Sequence, residues 1–127
     1  MPSSPCPCTS GKSYTRCCGP LHNRSAVAKT PKQLMRSRYS AYALGGHGDY
    51  LLESWHPDSR PRVNAESLSA KTLNWQALKI LHTSQSGNDA VVEFEARFTE
   101  VDGSAGRHHE VSRFIRLHGK WLYVNAE

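Results

Sequence analysis

Beyond Pro20 the sequence has no cysteine. All four, Cys6, Cys8, Cys17 and Cys18, fall in the stretch PCPCTSGKSYTRCCGP, so no disulfide framework can staple the rest of the chain. Long hydrophobic runs are also missing: none approaches the roughly 20 residues that a bilayer-spanning helix requires. The opening residues, MPSSPCPC, hold neither a basic n-region nor an apolar core, which predicts no secretory signal. A cytoplasmic location is expected, where thiols stay reduced and clustered cysteines are metal ligands more often than disulfides. There is no internal repeat, and low complexity is confined to the first few residues. No glycine-rich phosphate loop occurs either, because SGK at Ser10 to Lys12 lacks the upstream glycine and the strand of a P-loop.

What is present has the composition of a globular domain, 38% hydrophobic and 21% charged over 127 residues. That length suits one domain, or a small module followed by a larger one. The formal charge of +5 drops by two, to +3, if four thiolates hold one Zn²⁺. The basic residues are scattered, so a nucleic-acid-binding face is a weaker expectation than a solvated basic surface.

The cysteines are spaced C-x-C-x₈-C-C. Zinc takes four soft or borderline ligands in a tetrahedron, and two close pairs joined by a turn supply them. Gly11 permits the fold-back that brings the pairs together. Lys12 and Arg16 are expected to offset the surplus negative charge. A Cys17–Cys18 disulfide would be a strained vicinal ring, and the C-x-x-C at a helix N-terminus that tunes redox thiols is absent. The chemistry therefore favours one structural Zn²⁺ held by Cys6, Cys8, Cys17 and Cys18, with no open coordination position for a catalytic water. His22, four residues beyond Cys18, is a rival fourth ligand.

A helix is expected from Pro31, with Thr30 as N-cap and Gln33 completing a capping box. Leu34, Met35, Arg38, Tyr39, Tyr42 and Ala43 recur at helical spacing until Gly45-Gly46 ends the run. Asp49 is placed as the cap of a second helix, Tyr50 to Trp55, stopped by His56-Pro57. A third is placed near Ala65 to Leu73. Strands then follow: Trp75 to Thr83, a turn at SGND, the alternating AVVEFEARFT, a strand from Arg107 to Leu117, and Trp121 to Asn125. Helices followed by about four antiparallel strands mean an α+β fold with the sheet packed on the first long helix. Val92, Phe94, Phe98, Trp121 and Tyr123, with Leu34, Tyr39 and Tyr42, are the expected core.

The segment CPCTSGKSYTRCC resembles the SEC-C motif, the zinc-binding tail of bacterial preprotein-translocase ATPases. Its ligand positions fall on Cys6, Cys8, Cys17 and Cys18, and Ser10, Gly11, Lys12 and Tyr14 also match. CCGPLH, TPKQLMRSRYSAYALG and YLLESWHP resemble the YchJ-like family of uncharacterised bacterial proteins. That resemblance implies a nuclear transport factor 2-like main domain over 30–127, with helices in the concavity of a curved sheet, after a zinc knot over 1–25. The SEC-C resemblance implies a docking role toward a protein such as an export chaperone or a ribosome-associated factor. The alternative is a small-molecule or catalytic pocket in the concavity, around Tyr42, Trp55, Trp75 and His109. Its polar candidates are Asp49, His56, Asp58, His82, Glu95, His108, His109 and Glu110. No nucleophile among them has an evident base partner, so no catalytic residue is assigned.

Overall fold

In the computed structural model, residues 4–70 and 73–126 are described. The chain starts as a knuckle. Pro5 bridges to Ser13, and Cys6 N–H donates to the Lys12 carbonyl (2.9 Å). Thr9 (φ 60°) and Gly11 (φ 90°) both occupy the left-handed region, so the fold-back expected at Gly11 takes two such residues. A 3₁₀ turn, Tyr14–Arg16, leads into the short helix α1, Gly19–His22.

The long helix α2 runs Pro31–Leu44, and the Thr30 hydroxyl accepts from Gln33 N–H. Gln33 reaches back one residue further than a standard capping box, accepting from Lys29 N–H (2.7 Å). Helix α3, Gly48–Glu53, has His47 as its N-cap and Asp49 inside its first turn, so Asp49 does not cap it. Helix α4 spans only Ala65–Ser69, with the Asn64 side chain accepting from Ser67 N–H. The expected third helix is cut short because Ala70 has turned to extended backbone; residues 71 and 72 lie outside the described part.

Four antiparallel strands follow in meander order: β1 (Asn74–Ser86), β2 (Asp89–Thr99), β3 (Ala105–Leu117) and β4 (Lys120–Ala126). On β2 the alternation places Ala90, Val92, Phe94 and Ala96 in the core, facing α2. Irregularities in β1 pairing between Trp75 and Ala77, and between Ile80 and His82, bend that strand as bulges do. Both sheet edges are partly covered. Along β4, Tyr123 N–H donates to the Ser54 carbonyl and His56 N–H to the Tyr123 carbonyl, each at 2.8 Å. Along β1, the Thr9 hydroxyl accepts from Leu78 N–H (3.2 Å) and lies 2.9 Å from the Leu78 carbonyl.

Val92, Phe94, Trp121, Leu34 and Tyr39 are buried as expected, and Tyr123 and Tyr42 pack partly exposed against them, whereas Phe98 is half-buried against Trp75. Phe114 and Leu51 are fully buried; a phenyl or isobutyl group so placed contributes about 2 kcal/mol relative to exposure. Helix α2 is not a simple amphipath, since Ser37, Arg38 and Ser40 are buried along with its apolar residues. One side of the helix meets the sheet and the other meets the knuckle and α3. Among the described residues no helix is long and apolar enough to cross a membrane.

Candidate metal centre

The knuckle carries Cys6 and Cys8, and the 3₁₀ turn hands over to Cys17 and Cys18 at the entry of α1. The fold brings all four sulfurs within 4.8 Å of one another. Cys8 Sγ is 3.5 Å from Cys17 Sγ, and Cys17 Sγ is 3.9 Å from Cys18 Sγ. These are not disulfide distances, and all four thiols are free. Zinc–sulfur bonds of about 2.3 Å in a tetrahedron put the sulfurs about 3.8 Å apart, so the donor set fits a tetrahedral thiolate-binding ion. Among the described residues this is the group of His, Cys, Asp and Glu side chains whose donor atoms converge this closely.

Hydroxyls surround the sulfurs. Ser40, fully buried on α2, donates to Cys18 Sγ (3.3 Å) and lies 3.6 Å from Cys6 Sγ. Ser10 Oγ sits 3.2 Å from Cys17 Sγ. Arg36 touches the knuckle, its Nη1 donating to the Cys8 carbonyl (2.8 Å), whereas Lys12 and Arg16 are exposed. Hydrogen bonds from Cys18 and Cys6 hold the Cys8 thiol far below its ordinary range despite burial. Cys18 is driven upward chiefly because Cys6 and Cys8 make that same network, and Cys17 is raised mainly by burial. One thiol thus ionises at the expense of its neighbours. A bound dication removes that conflict, because a metal-coordinating thiol is deprotonated outright. Tyr39, whose hydroxyl is buried without a hydrogen-bond partner, is pushed up to about 12 by burial and by the Cys8 charge.

His22 is not part of the cluster. It is buried, its Nε2 donates to the Ser37 carbonyl (2.8 Å), and its Nδ1 accepts from the Tyr14 hydroxyl (2.6 Å). Both ring nitrogens are engaged, which leaves neither for a metal. The sequence offers it as a rival ligand. Its role as a buried strut between α1 and α2 depends on contacts that spacing does not encode.

The polar candidates of the sheet separate by face. His109 pairs with Glu93 (2.7 Å), and Glu95 lies 3.8 Å from both Arg97 and Arg107. Asp49, Asp58 and His82 are exposed, and His56 Nδ1 accepts from Asp58 N–H (3.1 Å). On the concave face, His108 Nε2 meets Glu110 Oε1 (2.9 Å). The concavity is therefore lined by His108, with Tyr42 and Trp75, and not by the expected His109. Trp55 is also elsewhere: it meets Tyr123 edge-on, and the Arg38 guanidinium lies over both rings, at 4.6 and 4.5 Å from their centroids. Arg38 was legible only as a helical-face residue, yet it is buried and donates to the Leu51 carbonyl (2.8 Å) and Ser54 Oγ (2.6 Å).

Residues 30–126 match the family model described as YchJ, middle NTF2-like domain. A UPF0225 protein of Ralstonia nicotianae is 44% identical, covering 99% of this chain and 92% of its own. One from Streptomyces coelicolor is 39% identical, covering 100% and 98%. Among solved structures, a SEC-C motif-containing protein from Rhodopseudomonas palustris superposes with a TM-score of 0.87 at 40% identity, covering 96% of each chain. Another from Psychrobacter arcticus gives 0.81 at 27% identity, over 94% of this chain and 80% of its own. The chain belongs to the YchJ family of UPF0225 proteins, with a nuclear transport factor 2-like domain.

Proposed function

We propose that this member of the YchJ family is a zinc-binding accessory protein of the cytoplasm that acts by binding another protein rather than by catalysis. Cys6, Cys8, Cys17 and Cys18 would hold one structural Zn²⁺. The observation that carries this reading is the convergence of four free sulfurs within 4.8 Å, close to the spacing of a tetrahedral zinc–thiolate site. When bound, the ion supplies cross-linking and charge neutralisation; four protein ligands leave no position for a reacting water. The sulfurs face inward, whereas Gly11, Lys12, Thr15 and Arg16 are exposed on the knuckle. In this reading a zinc knot over 1–25 precedes a main domain over 30–127 and is tied to α2 and β1 through Ser40 and Thr9. That exposed rim suits an acidic protein surface, and the SEC-C resemblance suggests an export chaperone or a ribosome-associated protein as the partner.

Metal analysis of the reduced protein is expected to find one zinc per chain, lost in Cys6→Ser and in Cys17→Ser and retained in His22→Gln. Zinc retained by both serine variants would overturn the ligand set. Purified export chaperone and ribosomes are the probes for docking. Binding to one of them should be lost in Lys12→Glu/Arg16→Glu while zinc is kept. Absence of binding to both, or binding indifferent to those charges, would overturn the docking role while leaving the metal assignment standing.

A further inference from the structure

The concave face of the sheet holds a second feature, remote in chemistry from the cysteines. A cavity of about 350 Å³ opens between α2 and the sheet, walled by the rings of Tyr39, Tyr42, Trp75, Phe94 and Phe98 and by His108. It is a concavity half open to solvent, not an enclosed void. It falls at the small end of the range of ligand pockets. A Cβ at residue 106 would lie 2.4 Å from Phe98 Cζ, so the glycine there allows Phe98 to lie against β3.

The wall selects the ligand. Tyr39 meets Trp75 edge-on at 5.8 Å between centroids, and Trp75 meets Phe98 edge-on at 5.2 Å. A further planar ring fits such an array at the spacing aromatic pairs favour. Among the described residues no Lys, Arg, Asp or Glu lines the cavity, which disfavours phosphates, carboxylates and ammonium groups as ligands. The hydrogen-bonding direction follows from Glu110. Its Oε2 accepts from Ser112 (2.5 Å) and from the Tyr123 hydroxyl (3.1 Å), and its Oε1 faces His108 Nε2 (2.9 Å). In the neutral ring a carboxylate in that position accepts from the proton on Nε2 and leaves Nδ1 as the acceptor.

We propose that this cavity binds a neutral, planar aromatic molecule of one or two rings that carries a hydroxyl or N–H donor. Its ring lies among Tyr42, Trp75 and Phe98, and its donor reaches Nδ1 of His108. Glu110 is a positioning residue that sets the tautomer. The volume is too small for a peptide helix, whose diameter with side chains is about 10 Å. The site is independent of the metal reading.

The probes are 2-naphthol and 2-methoxynaphthalene, which share a ring system but differ in the donor. Titration followed by backbone amide shifts should show saturable 2-naphthol binding centred on Ala96 and His108. The methoxy compound should bind about five- to tenfold more weakly, the worth of one hydrogen bond. In His108→Leu that preference should vanish. In Ala96→Phe, which fills the cavity, both should fail to bind, with zinc content and amide dispersion unchanged. If Ala96→Phe does not fold, the preference lost in half-exposed His108→Leu decides alone. Absence of saturation by about 1 mM, shifts centred elsewhere, or a preference that survives His108→Leu would each overturn the proposal. So would concentration-dependent self-association that covers the same amides, which would make the rings a contact between copies.

Discussion

Burial holds the His22 imidazole below its ordinary range; its bond to the Ser37 carbonyl opposes this, and His47 and Arg24 add to it. The ring of His47 stacks 4.3 Å from it and is itself lowered by burial. The unfolded chain, with a histidine near 6.5, therefore takes up the proton first as pH falls. The stability this ring contributes is complete above about pH 6.5 and is lost as pH drops through the folded value. His22→Gln should be less stable than wild type near neutrality, and the gap should narrow toward about pH 5. Urea midpoints against pH measure this, and a gap that widens in acid would refute it. The sequence could offer His22 only as a rival metal ligand, because the Tyr14 hydroxyl and Ser37 carbonyl that occupy its nitrogens meet it only after α1 docks on α2.

Helices α3 and α4 meet where a side chain would not fit. A Cβ at Gly48 would lie 1.8 Å from the Ala65 carbonyl oxygen, and Gly48 N–H donates to Ser69 Oγ (2.9 Å). The obstacle is backbone, so Gly48→Ala must part the two helices. Overpacking of this kind costs about 1–3 kcal/mol, to be read as a lowered urea midpoint with zinc content unchanged. At this scale much was legible. The Thr30-Pro31 start of α2, its stop at Gly45, and the alternation of β2 are local signals, and the structure carries each of them. The cap of α3 was misplaced by two residues, and α4 was drawn too long, because both boundaries are set by the contact between these helices rather than by residues within them.

For the molecule as a whole, the knuckle is not a pendant. Cys6, Cys8 and Cys18 belong to the same buried cluster as Leu34, Tyr39, Leu78 and Phe114. Thr9 closes on β1, and Ser40 ties α2 to Cys18. Removing the metal should therefore loosen the core, not only the first residues. Chelation is expected to lower the main thermal transition by at least about 10 °C. Calorimetry in the presence and absence of a chelator checks this, and an unchanged main transition would show a knot uncoupled from the domain.

The linear order of residues was enough to place four thiols within reach of one ion, to start α2 and to alternate the faces of β2 and β3, since turns, caps and periodicity act over a few residues. It also put His108 and His109 on opposite faces. Which of them meets the cavity, which serines and which arginine of α2 are buried, and where His22 spends its nitrogens were decided by how the helix lies in the sheet. Burial is a property of the partner surface, and for those residues the partner is distant in sequence: Ser40 faces Cys18, and Arg38 lies over Trp55 and Tyr123.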